Sequence, residues 1–306
     1  MYYPERVEII EVGLRDGIQK EKKILSVDEK LKLIHAIEDS GVKYIQVGSF
    51  VHPKAVPQMS NTDEVFRILK PKEGIEYSNS PIPNLRAFER SIACGCHYGR
   101  ISVSVSYGHN MANFRCAPEV TLHGFEEIVK KAKACGYHLG TGLMMAFGSP
   151  WEGNIPLSEI KKYMDIYMNW GLTEEVMLAD TAGLGNPALV YNTCHSLKEM
   201  YPQVKKWTLH LHNTRGNGIA NMLAGIEAGV TRFETSFAGM GGCPFVPSAA
   251  GNISTEDAVY TLEEMGIRTG IDIDKSIKVG KLAEEMLEKK GDSYLIKAGT
   301  GKYLLK

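Results

Sequence analysis

The chain has 306 residues, of which 43% are hydrophobic and 23% are charged, as expected for an ordinary folded protein. Its 35 basic and 36 acidic residues give a net charge of −1, and no basic excess points to nucleic acid or to a membrane surface. Six cysteines without a C-x-x-C pair favour free thiols in a reducing cytoplasm, and no apolar run predicts a signal peptide or a spanning helix.

Short apolar runs alternate with longer helical patterns along the whole chain. Strands are predicted at 6–12, 44–50, 75–80, 100–106, 139–147, 175–180, 207–212 and 232–237. Helices are predicted at 27–40, 61–69, 84–93, 121–135, 157–170, 187–200, 218–228 and 254–265. Ser26 and Glu29 form a predicted capping box at the start of the first helix.

Strict alternation of eight strands and eight helices predicts parallel strands joined by right-handed crossovers. This number of units favours a closed (β/α)8 TIM barrel over an open sheet, and no G-x-G-x-x-G follows the first strand. We therefore expect a catalytic barrel over residues 1–270 and a short C-terminal helical extension over 271–306, with its helix at 274–290. The segment 107–116 is treated as a loop after the fourth strand.

Polar residues concentrate where the predicted strands end, which is where barrel active sites lie. His210 and His212 are two residues apart on a strand, so their side chains share one face. Asp16 follows the first strand and Asn252 follows the eighth. Two imidazoles with a carboxylate and an amide oxygen suit a six-coordinate divalent metal, so these four residues are the predicted ligands.

Other residues at the same strand ends have both a functional and an ordinary interpretation. Arg15 can stabilise a developing oxyanion, or it can be an ordinary surface or salt-bridge arginine. Cys243 can be a reactive thiol on a mobile glycine-rich loop or a buried thiol under a turn. Asp180 can line the pocket or cap the next helix, and Asn213 and Arg215 can contact substrate or belong to a solvated loop.

Several segments together resemble one enzyme family over almost the whole chain. They are EVGLRDGIQ at 11–19, GSFVHPKAVPQM at 48–59, PNLRAF at 83–88, ADTAGLG at 179–185, H-L-H at 210–212 and AGMGGCPFVPSAAGNISTED at 238–257. On these motifs the sequence resembles the 3-hydroxy-3-methylglutaryl-CoA lyase family, within the broader group of barrel metallolyases. The G-x-G-G-C-P loop distinguishes these lyases from the related carboligases.

The resemblance implies cleavage of a 3-hydroxy-3-methylglutaryl thioester to acetyl-CoA and acetoacetate by retro-Claisen chemistry. It implies Mg2+ or Mn2+ held by Asp16, His210, His212 and Asn252. It implies Arg15 and Cys243 as catalytic groups. The reaction also needs a base for the hydroxyl proton, for which Asp16 and His210 are the two candidates near the metal. The candidate substrate-binding residues are Arg15, Gln19, Gln46, Ser49, Asp180, Asn213 and Arg215.

Three motifs depart from the family pattern. Gln46 stands where these lyases usually have a glutamate, which removes a negative charge. Asn213 and Arg215 replace an acid and a tyrosine after the histidines, and the sequence 148–153 (GSPWEG) differs from the usual G-C-P-Y-E-G. Segment 107–116 departs as well. These changes predict a more positive pocket and leave open a related acyl-CoA substrate.

Two other function classes remain open from the sequence. A carboligase resembling isopropylmalate or homocitrate synthase is the alternative enzyme, although 306 residues leave little room for a regulatory domain. A non-catalytic metal-binding scaffold is the alternative outside enzymes, against which Arg15, Asp16 and Cys243 argue. The expected partners are an acyl-CoA substrate and a second copy of the chain in a homo-oligomer, most simply a dimer, with no nucleic acid and no membrane.

Overall fold

The computed structural model describes residues 3–242 and 251–301. Eight parallel strands pair in chain order and close into a barrel, which confirms the predicted (β/α)8 architecture. The strands are β1 Glu8–Glu11, β2 Tyr44–Gly48, β3 Glu76–Asn79, β4 Tyr98–Ser104, β5 His138–Met144, β6 Glu175–Asp180, β7 Lys206–Leu211 and β8 Arg232–Thr235. Every observed strand overlaps one predicted from the alternation of apolar runs.

Helices surround the barrel and pack their apolar faces on its strands. They are α1 Val27–Asp39, α2 Thr62–Ile68, α3 Leu85–Ala93, α4 Tyr107–Phe114, α5 Pro118–Cys135, α6 Leu157–Asn169, α7 Pro187–Met200, α8 Gly218–Glu227, α9 Thr255–Glu264, α10 Ile273–Leu287 and α11 Tyr294–Ala298. The capping box of α1 is confirmed, because Ser26 Oγ accepts from the Glu29 amide at 3.2 Å while the Glu29 carboxylate accepts from the Ser26 amide at 2.8 Å.

The treatment of 107–116 as a loop is wrong, because α4 occupies most of it. A helix of eight residues has little stability of its own, so tertiary hydrogen bonds account for this one. Ser106 caps it by accepting from the His109 amide at 3.0 Å. The Asn110 side chain accepts from the Ser104 amide at 3.2 Å and donates to the Cys116 carbonyl at 2.9 Å, which ties the helix to the end of β4.

The chain after the barrel is helical in the described residues. Helix α10 packs against α1 and covers the short turn Phe237–Gly239, and α11 contacts both α9 and α10. The predicted extra helix is therefore present with its end shifted from 290 to 287. Placement of a domain boundary at residue 270 stays a prediction.

The barrel interior is more polar than the usual layers of branched apolar side chains. Arg100 crosses it to bond with Glu175 at 2.6 Å and with Glu234. Gly142 lies close beside it, since a Cβ at this position would lie 2.5 Å from Ser102 Oγ and 3.1 Å from Arg100 Cδ. Glu234 lies on β8, where it pairs in register with Ile10 of β1. The ion-pair network of Glu175, Arg100 and Glu234 therefore reaches the pair of strands that closes the barrel.

No helix among the described residues is long and apolar enough to cross a membrane. The cysteines in this part of the chain are all free thiols, as the sequence predicts: Cys94, Cys96, Cys116, Cys135 and Cys194.

Candidate metal centre and active site

The first part of the site is a tight π-helical turn, Gly13–Gly17, directly after β1. Glu11 lies buried beneath this turn and fixes it by accepting from the amides of Gly13 at 2.7 Å and Phe237 at 3.0 Å. Burial raises the pKa of this carboxyl to about 7, against the opposing effect of its hydrogen bonds. The turn brings Arg15 and Asp16 to the mouth of the barrel at a defined position.

His210 of β7 and His212, which directly follows that strand, converge on Asp16, as their spacing predicts. His210 Nε2 and His212 Nε2 are 3.0 Å apart, and His212 Nε2 lies 3.9 Å from Asp16 Oδ2. Ligand atoms of these three buried side chains all lie within 4.8 Å of one another. Asn252 joins them, because it bridges to His212 through the backbone and donates from its side chain to Asp16 Oδ2 at 2.7 Å.

The chemistry of this cluster fits a divalent cation. Asn252 Oδ1 is buried and has no hydrogen-bond partner within the described structure, although an amide oxygen buried without a partner is costly. His210 donates from Nδ1 to Glu234 Oε2 at 2.7 Å, which leaves its Nε2 lone pair toward His212 and Asp16. One carboxylate, two imidazoles and an amide oxygen are a donor set that Mg2+, Mn2+ and similar ions accept.

The protonation of the cluster also favours a cation. Burial alone would raise the pKa of Asp16, but Arg15 and the two histidines hold it below its usual range. Burial and the neighbouring His210 lower the pKa of His212 to about 3. Asp16 is therefore anionic and His212 neutral near pH 7, which are the states in which these groups bind metals.

Arg15 is held beside the cluster by two directed hydrogen bonds. Its Nε donates to Gln46 Oε1 at 3.0 Å and its Nη1 donates to Asp16 Oδ1 at 2.7 Å. The residue is only 9% exposed, so its guanidinium lies in a largely desolvated position where a charge acts strongly on neighbours. Arg15 is therefore not a surface side chain, although it does form a salt bridge, with Asp16.

The sequence pattern did not identify two further charged residues of the site, Glu234 and Arg100. Glu234 of β8 accepts from His210, from Gln46 Nε2 at 2.6 Å and from Arg100. Burial would raise the pKa of Glu234, but Arg100 and His210 hold it well below its usual range, so it is an anion. Side chains alternate between the two faces of a strand, so the alternation along β8 could have predicted that Glu234 faces the barrel interior, next to β7.

The predicted substrate-binding residues divide into two groups. Gln19 and Gln46 join the cluster: Gln19 Nε2 donates to Asp16 Oδ1 at 3.0 Å, and Gln46 connects Arg15 with Glu234. Ser49 is buried after β2, where its hydroxyl accepts from the Val51 amide at 3.3 Å. The roles of Gln19, Gln46 and Ser49 in substrate binding stay predictions.

The remaining candidates hold the loops of the mouth. Asp180 accepts from the Leu184 and Gly185 amides at 2.9 and 3.1 Å, and burial raises its pKa to about 6. Asn213 Oδ1 accepts from the first amide of α8, and the exposed Arg215 donates to the carbonyls of residues 182 and 183. Their substrate contacts stay predictions. Cys243 lies outside the described residues.

A separate cavity of about 130 Å³ opens at the other end of the barrel, where the strands begin. Its polar lining includes Glu76, Tyr98, His138, Lys206 and Arg232. It reaches the active-site cluster at Gln46 and Arg100 but does not include Arg15, Asp16 or the two histidines. In barrels of this type, residues at the amino end serve stability, so we place the candidate active site at the mouth that holds Asp16 and His210.

The fold and the mouth together define a class: a (β/α)8 barrel enzyme with a candidate divalent-metal centre over its strand ends. The HMGL-like family model matches residues 6–283. A hydroxymethylglutaryl-CoA lyase of Bacillus subtilis is 33% identical over 289 residues, covering 94% of this chain and 96% of that protein. The human mitochondrial hydroxymethylglutaryl-CoA lyase is 35% identical over 297 residues, covering 96% and 90%.

Solved structures agree with this relationship. An HMG-CoA lyase of Acinetobacter baumannii, in complex with coenzyme A and 3-methylmalate, superposes with a TM-score of 0.92 at 36% identity, covering 98% of this chain and 97% of that one. The Bacillus subtilis HMG-CoA lyase gives 0.92 at 32% identity, covering 97% and 99%. The chain belongs to the HMG-CoA lyase family of carbon–carbon lyases.

Proposed function

We propose that the protein cleaves 3-hydroxy-3-methylglutaryl-CoA to acetyl-CoA and acetoacetate with Mg2+ or Mn2+. The observation that carries this proposal is the convergence of Asp16, His210, His212 and Asn252 at one mouth, with Arg15 held against them. The family relationship supports it, because the relatives over nearly the whole chain are named for this reaction.

Asp16, His210 and His212 with the amide oxygen of Asn252 are the residues that would hold the metal. When bound, the ion would act as a Lewis acid that lowers the pKa of the substrate's tertiary hydroxyl. Arg15 stays outside this ligand set and is free to act on the carbonyl oxygen of the thioester. Side chains of the protein are proposed to carry out the proton transfers and to stabilise the enolate.

The reaction removes the hydroxyl proton and breaks the bond between C2 and C3 of the acyl chain. The electron pair of the O–H bond forms the ketone of acetoacetate, while the pair of the C–C bond leaves as the enolate of acetyl-CoA. Asp16 and His210 are the two groups proposed to take the proton. Asp16 is a weak base, because Arg15, Gln19 and Asn252 all donate to its carboxylate. His210 can take the proton only while its Nε2 is not bound to the metal, because its Nδ1–H bonds to Glu234.

Arg15 stabilises the enolate oxygen as negative charge develops. Its guanidinium is fixed before the reaction by Gln46 and Asp16, so little reorganisation accompanies the charge shift. The enolate carbon then takes a proton, which completes acetyl-CoA. Cys243 is proposed as that donor from its place in the G-x-G-G-C-P loop of the sequence.

Gln19, Gln46, Ser49, Asp180, Asn213 and Arg215 are proposed to bind the acyl-CoA. Asp180, Asn213 and Arg215 would act by shaping the loops over the mouth, since their side chains bond to loop backbone. A homodimer and a cytoplasmic location remain part of the proposal.

A turnover assay tests the function. Protein stripped with a chelator and reloaded with Mn2+ or Mg2+ is given a panel of 3-hydroxyacyl-CoA thioesters, and products are identified by mass spectrometry. We expect acetyl-CoA and acetoacetate from the 3-methylglutaryl thioester, with loss of activity after chelation. The lyase proposal would be wrong if folded, metal-loaded protein leaves this thioester intact but condenses acetyl-CoA with a 2-oxo acid. That result would identify the protein as a carboligase.

A further inference from the structure

Glu234 joins several side chains across the barrel interior. It is fully buried, and its two oxygens accept from three different groups: His210 Nδ1 at 2.7 Å, Gln46 Nε2 at 2.6 Å and Arg100. Arg15 Nη2 is 3.9 Å from the same carboxylate. Glu234 therefore contacts a proposed metal ligand and, through Gln46 and directly, the proposed catalytic arginine.

The hydrogen bond to His210 decides which nitrogen of that ring is available. Because Glu234 accepts from Nδ1–H, the imidazole keeps its lone pair on Nε2, which is the atom 3.0 Å from His212 Nε2. A carboxylate behind a metal-binding histidine fixes the tautomer and the ring orientation, and its loss typically costs about 10- to 100-fold in metal affinity.

Gln46 is suited to its place because it is neutral. Its Nε2 lies 2.6 Å from Glu234 Oε1 while its Oε1 accepts from Arg15 Nε. A glutamate at position 46 would place a carboxylate oxygen about as close to Glu234 Oε1 as Gln46 Nε2 is now, with no proton between the two oxygens. The amide thus transmits the position of Glu234 to Arg15 without adding a second negative charge.

We propose that Glu234 is a positioning residue of the reaction, which orients His210 for the metal, and that Gln46 is the neutral link through which it also fixes Arg15. The inference rests on the metal site of the proposed function. Arg100 keeps Glu234 in place from the other side, where it also bonds to Glu175 at 2.6 Å.

Glu175 offers a matched control, because it is a second carboxylate of the barrel that accepts from Arg100 but has no contact with His210 among the described hydrogen bonds. Glu234→Gln and Glu175→Gln are compared by calorimetric titration with Mn2+ and by nitrogen NMR of the His210 ring. We expect Glu234→Gln to weaken Mn2+ binding about 10-fold or more and to remove the fixed Nδ1–H tautomer. Glu175→Gln should leave both unchanged. Equal behaviour of the two variants would overturn the proposal.

An exchange variant keeps the proposal testable if Glu234→Gln does not fold. Gln46→Glu combined with Glu234→Gln keeps one carboxylate and one amide in contact, and so keeps a negative charge near Arg100. We expect it to fold with the weak Mn2+ affinity and the unfixed His210 ring. Wild-type Mn2+ affinity and a fixed His210 tautomer in this variant would show that a carboxylate at position 234 is not needed to orient His210, which would overturn the proposal.

The readouts separate this inference from the proposed function. The tautomer of His210 is measured without metal or substrate, so it tests Glu234 even if the wild type fails to bind Mn2+. Turnover of the thioester by the wild type tests the function alone. A wild type that cleaves the thioester while Glu234→Gln retains a fixed His210 ring would overturn only the role of Glu234.

Discussion

Replacing Arg15 with lysine tests the proposed role of the guanidinium. Arg15 bonds through Nε to Gln46 and through Nη1 to Asp16, and its Nη2 is 3.9 Å from Glu234. The planar fork makes these contacts together and still presents a donor toward the mouth. Lysine ends in one ammonium group, so it cannot keep both bonds and also address the enolate oxygen.

The magnitude follows from the loss of one fixed donor at the developing charge. Such a loss raises the barrier by about 3 kcal/mol, which lowers kcat about 100- to 1,000-fold. KM should change far less, because the interaction strengthens only as the enolate forms. Metal binding should persist, since none of the four proposed ligands changes.

The assay is steady-state cleavage of the 3-methylglutaryl thioester at saturating Mn2+. Arg232→Lys is the matched control, because Arg232 is also buried in the barrel but lies at its amino end, where it bonds to Glu8 at 2.7 Å and stacks over Tyr44. The control should retain the wild-type kcat. A folded Arg15→Lys variant with kcat within about threefold of wild type would refute the argument from the fixed donor.

Three further predictions follow from single positions. Gly241 has a φ of +121°, and a Cβ there would lie 2.4 Å from Asn252 Nδ2, so Gly241→Ala should weaken Mn2+ binding about tenfold in a titration. Gly270 also has a positive φ but lies away from the site, so Gly270→Ala should keep the wild-type Mn2+ affinity. Equal Mn2+ affinities of the two variants would contradict the prediction. Burial raises the pKa of Glu256 to about 8. The folded state then holds a proton that the unfolded state releases above its ordinary pKa, so stability falls as pH rises from about 5 to 8, by up to about 1.4 kcal/mol per pH unit from this group. Glu256→Gln should flatten that slope in denaturant unfolding, and an unchanged slope would show that Glu256 is ionised throughout. Arg215 is exposed and donates to the carbonyls of residues 182 and 183 at the mouth, so Arg215→Ala should loosen this loop and raise KM about threefold to tenfold with kcat little changed. An unchanged KM would contradict its part in substrate binding.

Much of the fold follows from local patterns in the sequence. Eight apolar runs of strand length separated by helical stretches determine the number and order of the units, and closure into a barrel follows from the count. Helix α4 is different, because its hydrogen bonds from Asn110 to β4 and to Cys116 depend on the assembled barrel. Its sequence, YGHNMANF, has no strong apolar stripe to signal it.

The site divides in a similar way. A spacing of two on a strand is enough to place His210 and His212 on one face, and strand ends are enough to gather Asp16 and Asn252 near them. The ion pair between Glu234 and Arg100 could not be predicted, since Arg100 lies 134 positions away and on a strand that does not neighbour β8. Contacts across a barrel interior have no period in the sequence.

The proposed metal centre consists of four side chains at the barrel mouth. It can be examined in a crystal structure of the protein soaked with Mn2+, with the ion located by its anomalous signal. We expect one ion within about 2.0–2.4 Å of Asp16, His210 Nε2, His212 Nε2 and Asn252 Oδ1. An ion bound elsewhere, or a mouth that remains without metal at saturating Mn2+, would contradict it.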